Sequence, residues 1–251
     1  MDKLTPKKFL GQHFLTDKQL AQKIVRTLSA NEADAVAEIG PGMGILTQYL
    51  CEKYANFRVI EIDNDAVSYL KKHFPALPII HEDVLKWNMT ETLPKDSFLI
   101  GNLPYNISSP IFFRILENME YVKEGVFMIQ KEVAERICAK EGNKEYGILS
   151  VLMGYFYELK YEFSVPPTVF SPPPKVMSAV FSMKRKNIQN PISLEKLKKV
   201  VKAGFGQRRK TLRNAVKGLE FADFAQKETW FAMRAEQLSV SDFVLLSSYL
   251  M

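Results

Sequence analysis

Gly101-Asn102-Leu103-Pro104-Tyr105 follows the apolar run Phe98-Leu99-Ile100, and its residue types suit one kind of chemistry, the holding of a planar amine. The Asn102 side-chain oxygen and the Leu103 carbonyl can each accept from an exocyclic amino group. Pro104 fixes the turn, and Tyr105 offers a face for the attached ring. Alone, the stretch is better read as an ordinary Asn-X-Pro turn with a packed tyrosine. A second motif upstream supplies a place for another reactant. Ala35-Val36-Ala37-Glu38-Ile39-Gly40 reads as a buried strand, and Gly40-Pro41-Gly42-Met43-Gly44 then opens a helix beginning Ile45-Leu46-Thr47. Glycines at such a turn permit positive φ and close approach of backbone to a ligand.

The glycine loop lacks the Gly-Lys-Ser/Thr of a P-loop, and its Gly40-X-Gly42-X-Gly44 spacing differs from the Gly-x-Gly-x-x-Gly dinucleotide fingerprint. A second βα unit follows. Phe57 to Asp63 reads as its strand, and Asn64 or Asp65 as the N-cap of the next helix. Glu61, at the carboxyl end of that strand, is placed to accept both ribose hydroxyls of an adenosyl ligand. A third strand, Leu77 to His81, ends at Glu82-Asp83-Val84-Leu85, where Asp83 can accept from the adenine amine of the same ligand. Acids after strands also cap helices, and that reading suits Asp63 and Asp65. For Glu61 and Asp83 the ligand reading is preferred, because the glycine loop and both acids recur at three successive strand ends, where open α/β sheets bind ligands.

The elements that must position these residues give an α/β chain with a mostly parallel sheet. Leu159 to Val165 and Val176 to Met183 alternate as strands, completing a seven-stranded sheet through an antiparallel edge pairing. Between them Pro166-Pro167 and Pro172-Pro173-Pro174 make a stiff loop. Phe170 within it is either the second wall of an aromatic clamp opposite Tyr105 or a core anchor for the loop. Tyr146 to Leu152 reads as a buried helix. After a boundary near Lys184 to Pro191, the stretches Leu194–Phe205, Thr211–Val216 and Ser241–Tyr249 read as helices. The expected domains are residues 1–186 and 187–251.

From Lys184 onward there are 14 Lys and Arg against 6 Asp and Glu, a net of +8, so residues 1–183 carry −2 of the formal +6. The tail holds Lys199 and Lys202 near one helix and Arg208, Arg209, Lys210 and Arg213 in a cluster. Such a run is either a solvated face or an RNA backbone clamp with salt-sensitive affinity. At 251 residues and 47% hydrophobic, the chain can hold one large α/β domain and a small appendage. No apolar run approaches the roughly 20 residues of a membrane helix. Nor does the start carry a signal-peptide core, so a cytoplasmic location without membrane attachment is expected. Cys51 and Cys138 fall in predicted helices without metal-ligand spacing and are expected to be reduced structural residues, and no metal site is expected.

Glu38 to Gly44, Val59 to Asp63, Glu82-Asp83-Val84 and Gly101 to Ser108 resemble, in order and spacing, the motifs of the S-adenosylmethionine-dependent ribosomal RNA adenine N6,N6-dimethyltransferases. Lys7 to Leu15, Phe170 to Val176 and Gly206 to Leu212 make the resemblance nearest to the bacterial small-subunit branch. It implies a Rossmann-like methyltransferase domain followed by a small all-helical, RNA-binding one. Further implied are S-adenosylmethionine as methyl donor, leaving as S-adenosylhomocysteine, and cofactor contacts from His13, Leu15, Gly40, Glu61, Asp83 and Asn102, with Gly42 in the same loop. Asn102, Leu103, Pro104 and Tyr105, with Phe170 if it is a clamp, become the catalytic set. Many relatives carry Asn at the position of His13. Either side chain can donate to the methionine carboxylate, although a neutral imidazole has one N–H only. The implied substrate is two adjacent adenosines in a terminal hairpin loop of small-subunit (16S) RNA within a pre-30S or 30S particle, and the chain is expected to act as a monomer. Open alternatives are a large-subunit adenine methyltransferase of the macrolide-resistance type, a DNA adenine methyltransferase, for which 251 residues leave little room, and a non-catalytic RNA-binding assembly factor.

Overall fold

A computed structural model describes residues 4–222 and 229–251. In chain order the elements are β1 (Phe14–Leu15), α1 (Lys18–Thr27), β2 (Ala35–Ile39), α2 (Thr47–Lys53), β3 (Asn56–Glu61), α3 (Asn64–His73), β4 (Ile79–His81), α4 (Met89–Thr92), β5 (Ser97–Asn102) and α5 (Ser108–Glu117). There follow β6 (Val122–Gln130), α6 (Lys131–Cys138), α7 (Ile148–Phe156), β7 (Tyr157–Val165), β8 (Phe170–Ser171), β9 (Ser178–Arg185), α8 (Leu194–Gly206), α9 (Leu212–Ala215) and α10 (Val240–Ser248). Seven strands form one sheet in the order β4-β3-β2-β5-β6-β9-β7, and β1 pairs with β8 in a separate antiparallel ribbon. Neighbours from β4 to β6 are parallel, whereas β6 and β9 are antiparallel. This is a Rossmann-like α/β sheet, mostly parallel, with helices.

All five residues of β2 are buried, as are five of the six of β5, because a parallel strand covered on both faces must be apolar on both. Three strand carboxylates break that rule, Glu61 at the end of β3 and two that are held by hydroxyl or amide donors. Glu124 in β6 accepts from the Ser29 N–H at 2.7 Å and from the Ser29 hydroxyl. Glu38 in β2 accepts from the Thr47 hydroxyl at 2.6 Å. The strands run close to the expected ranges, but α2 starts at Thr47, two residues later than expected, because residues 42–46 are spent on the glycine turn. The N-cap of α3 is Asp63, rather than Asn64 or Asp65; its carboxylate accepts from the Asp65 N–H at 3.0 Å.

Two compact units divide the chain: residues 1–134 with 160–185, and residues 135–159 with 186–251. That differs from a single cut after residue 186. The reason is α7, in which six of nine residues are buried. Within the second unit it packs against α8 and α10, and the rings of Tyr146, Phe205 and Phe243 meet at centroid distances of 5.9 and 5.7 Å. A strongly apolar helix belongs where it can bury both flanks, and the C-terminal helices need it to close a core. Ser193 caps α8, accepting from the Lys196 N–H, and Ser239 with Asp242 forms a reciprocal capping box on α10. Cys51 and Cys138 are free thiols in α2 and α6, and Cys51 is exposed rather than packed. Among the described residues no helix is long and apolar enough to cross a membrane.

Candidate active site

The carboxyl ends of β2, β3, β4 and β5 open into one cavity of about 260 Å³ in the first unit. Its wall includes Gly40, Gly42, Glu61, Asp83, Asn102, Leu103, Pro104 and Tyr105, together with His13 and Leu15. Residues from five separated stretches therefore share a single space, as the switch-point geometry of an open α/β sheet requires.

The glycine loop is tied at its middle and just beyond its end. Thr47, the first residue of α2, is tied to Glu38 by the bond already described, and the Gly42 N–H donates to Glu61 Oε2 at 3.1 Å. Gly42 has φ +54°, and a Cβ there would lie 2.9 Å from the Phe14 ring, so the cradle holds no room for a side chain. Glu61 Oε1 accepts from the backbone N–H groups of Ile62 and Asp63, each at 2.9 Å. Burial pushes its carboxyl above the usual glutamate value, and these three N–H donors pull back against it. The carboxylate is thus oriented by backbone, with lone pairs left for ribose hydroxyls. Asp83 Oδ1 accepts from the Leu85 N–H at 2.9 Å, which holds the acid at the cavity wall. A tight side-chain-free cradle, an oriented buried carboxylate and a second acid beyond it fit an adenosyl ligand. The apolar residues Met43, Ile62, Val84 and Leu85 also line the cavity. Sequence reasoning did not single them out, although each adjoins a motif residue.

At the other end Asn102 closes β5. Its Nδ2 donates to the His13 carbonyl at 3.0 Å, so the amide is oriented with Oδ1 as its acceptor for a ligand. The Leu103 N–H donates to Met128 O at 3.0 Å, anchoring the turn to β6, and Leu103 is part of the cavity wall. Gly101 lets β5 lie close to β2: a Cβ there would sit 2.5 Å from the Ile39 carbonyl oxygen. The Tyr105 hydroxyl shares a 2.5 Å hydrogen bond with Ser178 Oγ. Burial raises its pKa, against which the Ser178 contact works, so it stays a neutral phenol.

Two expected residues are placed differently. Phe170 does not line the cavity. It is 4% exposed, sits in β8 opposite Leu15 of β1 and belongs to the hydrophobic core with Leu15, Val165 and Val180. The geometry is that of the core anchor and not of a clamp, because a two-residue strand paired to β1 turns its ring inward. His13 lines the cavity, but its Nδ1 lies 2.8 Å from the Pro172 carbonyl and must be the donor there. A neutral His13 then has no N–H left for a carboxylate. Its ring instead stacks on Tyr105 at 5.4 Å with an interplanar angle of 27°.

In the second unit the amphipathic α8 buries Leu197, Val200, Val201 and Phe205 and turns Lys199 and Lys202 outward. Arg209 and Lys210 are exposed in the following turn. Arg213 is exposed on α9 with its guanidinium over the Phe231 ring at 5.4 Å. Arg208 is also exposed, but it donates to the Lys144 carbonyl at 3.0 Å and lies 3.9 Å from Glu236, so part of its role is to brace the unit.

The family model described as ribosomal RNA adenine dimethylase matches residues 3–251. A ribosomal RNA small subunit methyltransferase A from Flavobacterium johnsoniae is 51% identical over 98% of the chain and 96% of its own length. Another from Bacteroides thetaiotaomicron is 48% identical over 99% and 95%. Among solved structures, a dimethyladenosine transferase from Plasmodium falciparum superposes with a TM-score of 0.81 at 25% identity, covering 95% of this chain and 99% of that one. The 23S rRNA methyltransferase ErmE shares the fold, with a TM-score of 0.69 at 22% identity over 94% and 99%.

Proposed function

The chain belongs to the ribosomal RNA adenine dimethylase family, and from that premise we propose that it methylates N6 of two adjacent adenosines in the 3′-terminal hairpin loop of small-subunit RNA. The product is N6,N6-dimethyladenosine, and the substrate is a pre-30S or 30S particle acted on by the monomer in the cytoplasm. One observation carries the reading: Asn102 to Tyr105 share a cavity with the glycine loop, Glu61 and Asp83. An amine-holding turn and an adenosyl-holding cradle thus open into the same space.

S-adenosylmethionine, when bound, supplies a methyl group already made electrophilic by its sulfonium. The residues of this chain need only align the acceptor nitrogen and adjust its electrons. Asn102 Oδ1 and the Leu103 carbonyl accept from the N6 hydrogens, which draws the nitrogen toward tetrahedral geometry and localises a lone pair otherwise spread into the ring. Tyr105, held by Ser178, supports the base. None of these side chains has to act as a strong base, because the methylated amine is acidic enough to lose its proton to water. Gly40, Gly42, Glu61 and Asp83 hold the donor, and His13 and Leu15 line the same cavity. Lys199, Lys202, Arg209, Lys210 and Arg213, with the braced Arg208, are the proposed RNA contacts.

Labelled methyl transfer to small subunits lacking these modifications, beside naked large-subunit RNA, tests the proposal. N6,N6-dimethyladenosine in the small subunit alone is the expected outcome. Label only in large-subunit RNA would refute it in favour of the resistance-type activity, and binding without transfer would refute it in favour of an assembly factor.

A further inference from the structure

Residues 7–15, of which 9–15 line the cavity, form a strap held by two different kinds of bond. At the acceptor end the His13 carbonyl holds Asn102, the His13 ring lies on Tyr105, and Phe14-Leu15 pairs with β8. Midway, Gly11 has φ +65°, and a Cβ there would lie 2.7 Å from Asn106 Oδ1, so the strap passes directly over the turn after β5. At the donor end everything converges on Asp63, two residues beyond Glu61. Lys7 Nζ lies 2.5 Å from Asp63 Oδ1 and 2.7 Å from Asp65 Oδ2. Gln12 Nε2 donates to Asp63 Oδ2 at 2.8 Å, while Gln12 Oε1 accepts from the Lys7 N–H at 2.8 Å. The Asp63 side chain is 3% exposed. A carboxylate this buried is held by its donors rather than by water.

We propose that Asp63 is a positioning residue: with Lys7 and Gln12 it buckles residues 7–15 down as the roof of the cavity, and this buckle sets how tightly the adenosyl cofactor is retained. The inference rests on the cofactor assignment above and deepens it. Phe9 to Leu15 all line the cavity, so release of the buckle opens one wall of it. Burial alone would raise the Asp63 carboxyl, yet Lys7, Gln12 and the Asp65 N–H together hold it below the usual aspartate value, as a buckle carrying fixed charge requires. The same carboxylate caps α3, which is why a local reading of the sequence assigns it nothing further.

Asp63→Asn keeps an acceptor for the Asp65 N–H and so preserves the cap, but removes the charge that holds Lys7. Lys7→Met removes the other partner, and Lys7→Arg restores a cation. Amide hydrogen exchange of residues 9–15, measured without ligand, should quicken in Asp63→Asn and Lys7→Met while β2 and β5 keep their protection. Affinity for S-adenosylhomocysteine should fall about tenfold in each if the closed roof becomes a minor state. The double variant should lose little more than either single, and Lys7→Arg should bind like the wild type. Unchanged exchange in the strap, affinity within about twofold of wild type, or losses that multiply in the double variant would each overturn the proposal. Wild-type protein that binds the cofactor without methylating RNA would refute the proposed function and leave the buckle standing.

Discussion

Glu38→Gln should make the protein more stable, by an amount that grows with pH. Glu38 lies in the middle of β2, 1% exposed, and accepts from the Thr47 hydroxyl. Burial pushes its carboxyl up from the ordinary 4.5 to about 8; the Thr47 bond opposes the rise and the nearby Glu61 carboxylate adds to it. Between those two pH values the native chain keeps a proton that the unfolded chain has released. Stability therefore falls as pH rises through the interval and levels off above it. At about 1.4 kcal/mol for each pH unit, the native state loses about 5 kcal/mol across the interval and about 3 kcal/mol of it by neutrality. Glutamine cannot titrate and still accepts from Thr47. Urea unfolding of both proteins between pH 4.5 and 8.5 isolates the residue and its coupling to Glu61, because titrating groups that do not interact with Glu38 contribute equally to the two curves. A difference in unfolding free energy that rises with pH and flattens above 8 is expected. Parallel profiles would refute the reasoning, and so would a variant that is less stable at every pH.

Asn102→Ala should lower turnover by about a hundredfold or more while cofactor affinity changes little, since the lost acceptor acts on the attacking amine. Glu61→Gln should instead weaken cofactor binding by about tenfold; equal binding losses in the two variants would contradict the division of roles, and calorimetry with single-turnover kinetics separates them. Phe170→Ala should cost about 3–5 kcal/mol of stability, whereas Phe170→Leu, which refills the core, should keep most of the activity; a Leu variant that is stable but inactive would restore the clamp. Arg209→Ala and Lys210→Ala should each weaken RNA binding almost uniformly across sequences and reduce the salt slope by about 1, as read from filter binding over a salt series.

What was legible in the sequence depended on whether a residue's role is local. Strands β2 and β5 announce themselves because burial on both faces demands apolar residues on both, with Glu38 the one charged interruption, while β3 shows its apolar run only after the half-buried Asn56 and Arg58. The right-handed βα repeat then forces the residues after them to one edge of the sheet. Gly40, Glu61, Asp83 and Asn102 are therefore readable as neighbours from the sequence. The roof was not, because β1 and β8 are two residues each and pair across more than 150 positions of chain, with no periodicity to betray them. Phe170 illustrates the consequence. Its loop was recognisable from the prolines, but whether its ring faces the cavity or the core is decided by the pairing with Leu15. The helix α7 is a similar case. Its apolar composition reveals burial, while nothing in residues 148–156 says which partner buries it.

The same distinction explains why acids at strand ends need the structure to be sorted. Glu38, Glu61 and Asp63 lie within 26 residues of one another, and each follows or interrupts a buried strand. Glu38 holds a proton and ties the strand to the helix beyond the loop. Glu61 stays fixed by three backbone N–H groups beneath the cradle. Asp63 pairs with Lys7 and carries its charge. Three carboxyl groups thus occupy three electrostatic states because their donors differ: a hydroxyl, backbone amides and an ammonium. Exchanging those donors, rather than the acids, should move each state independently. Thr47→Val, for instance, removes the one bond that opposes protonation of Glu38 and should push its transition above pH 8, which would leave the pH-dependent loss of stability extending further into the alkaline range than in the wild type. Carbon-13 NMR of the Glu38 carboxyl reads that shift directly, and a transition that moves down instead would show that the hydroxyl does not favour the ionised form.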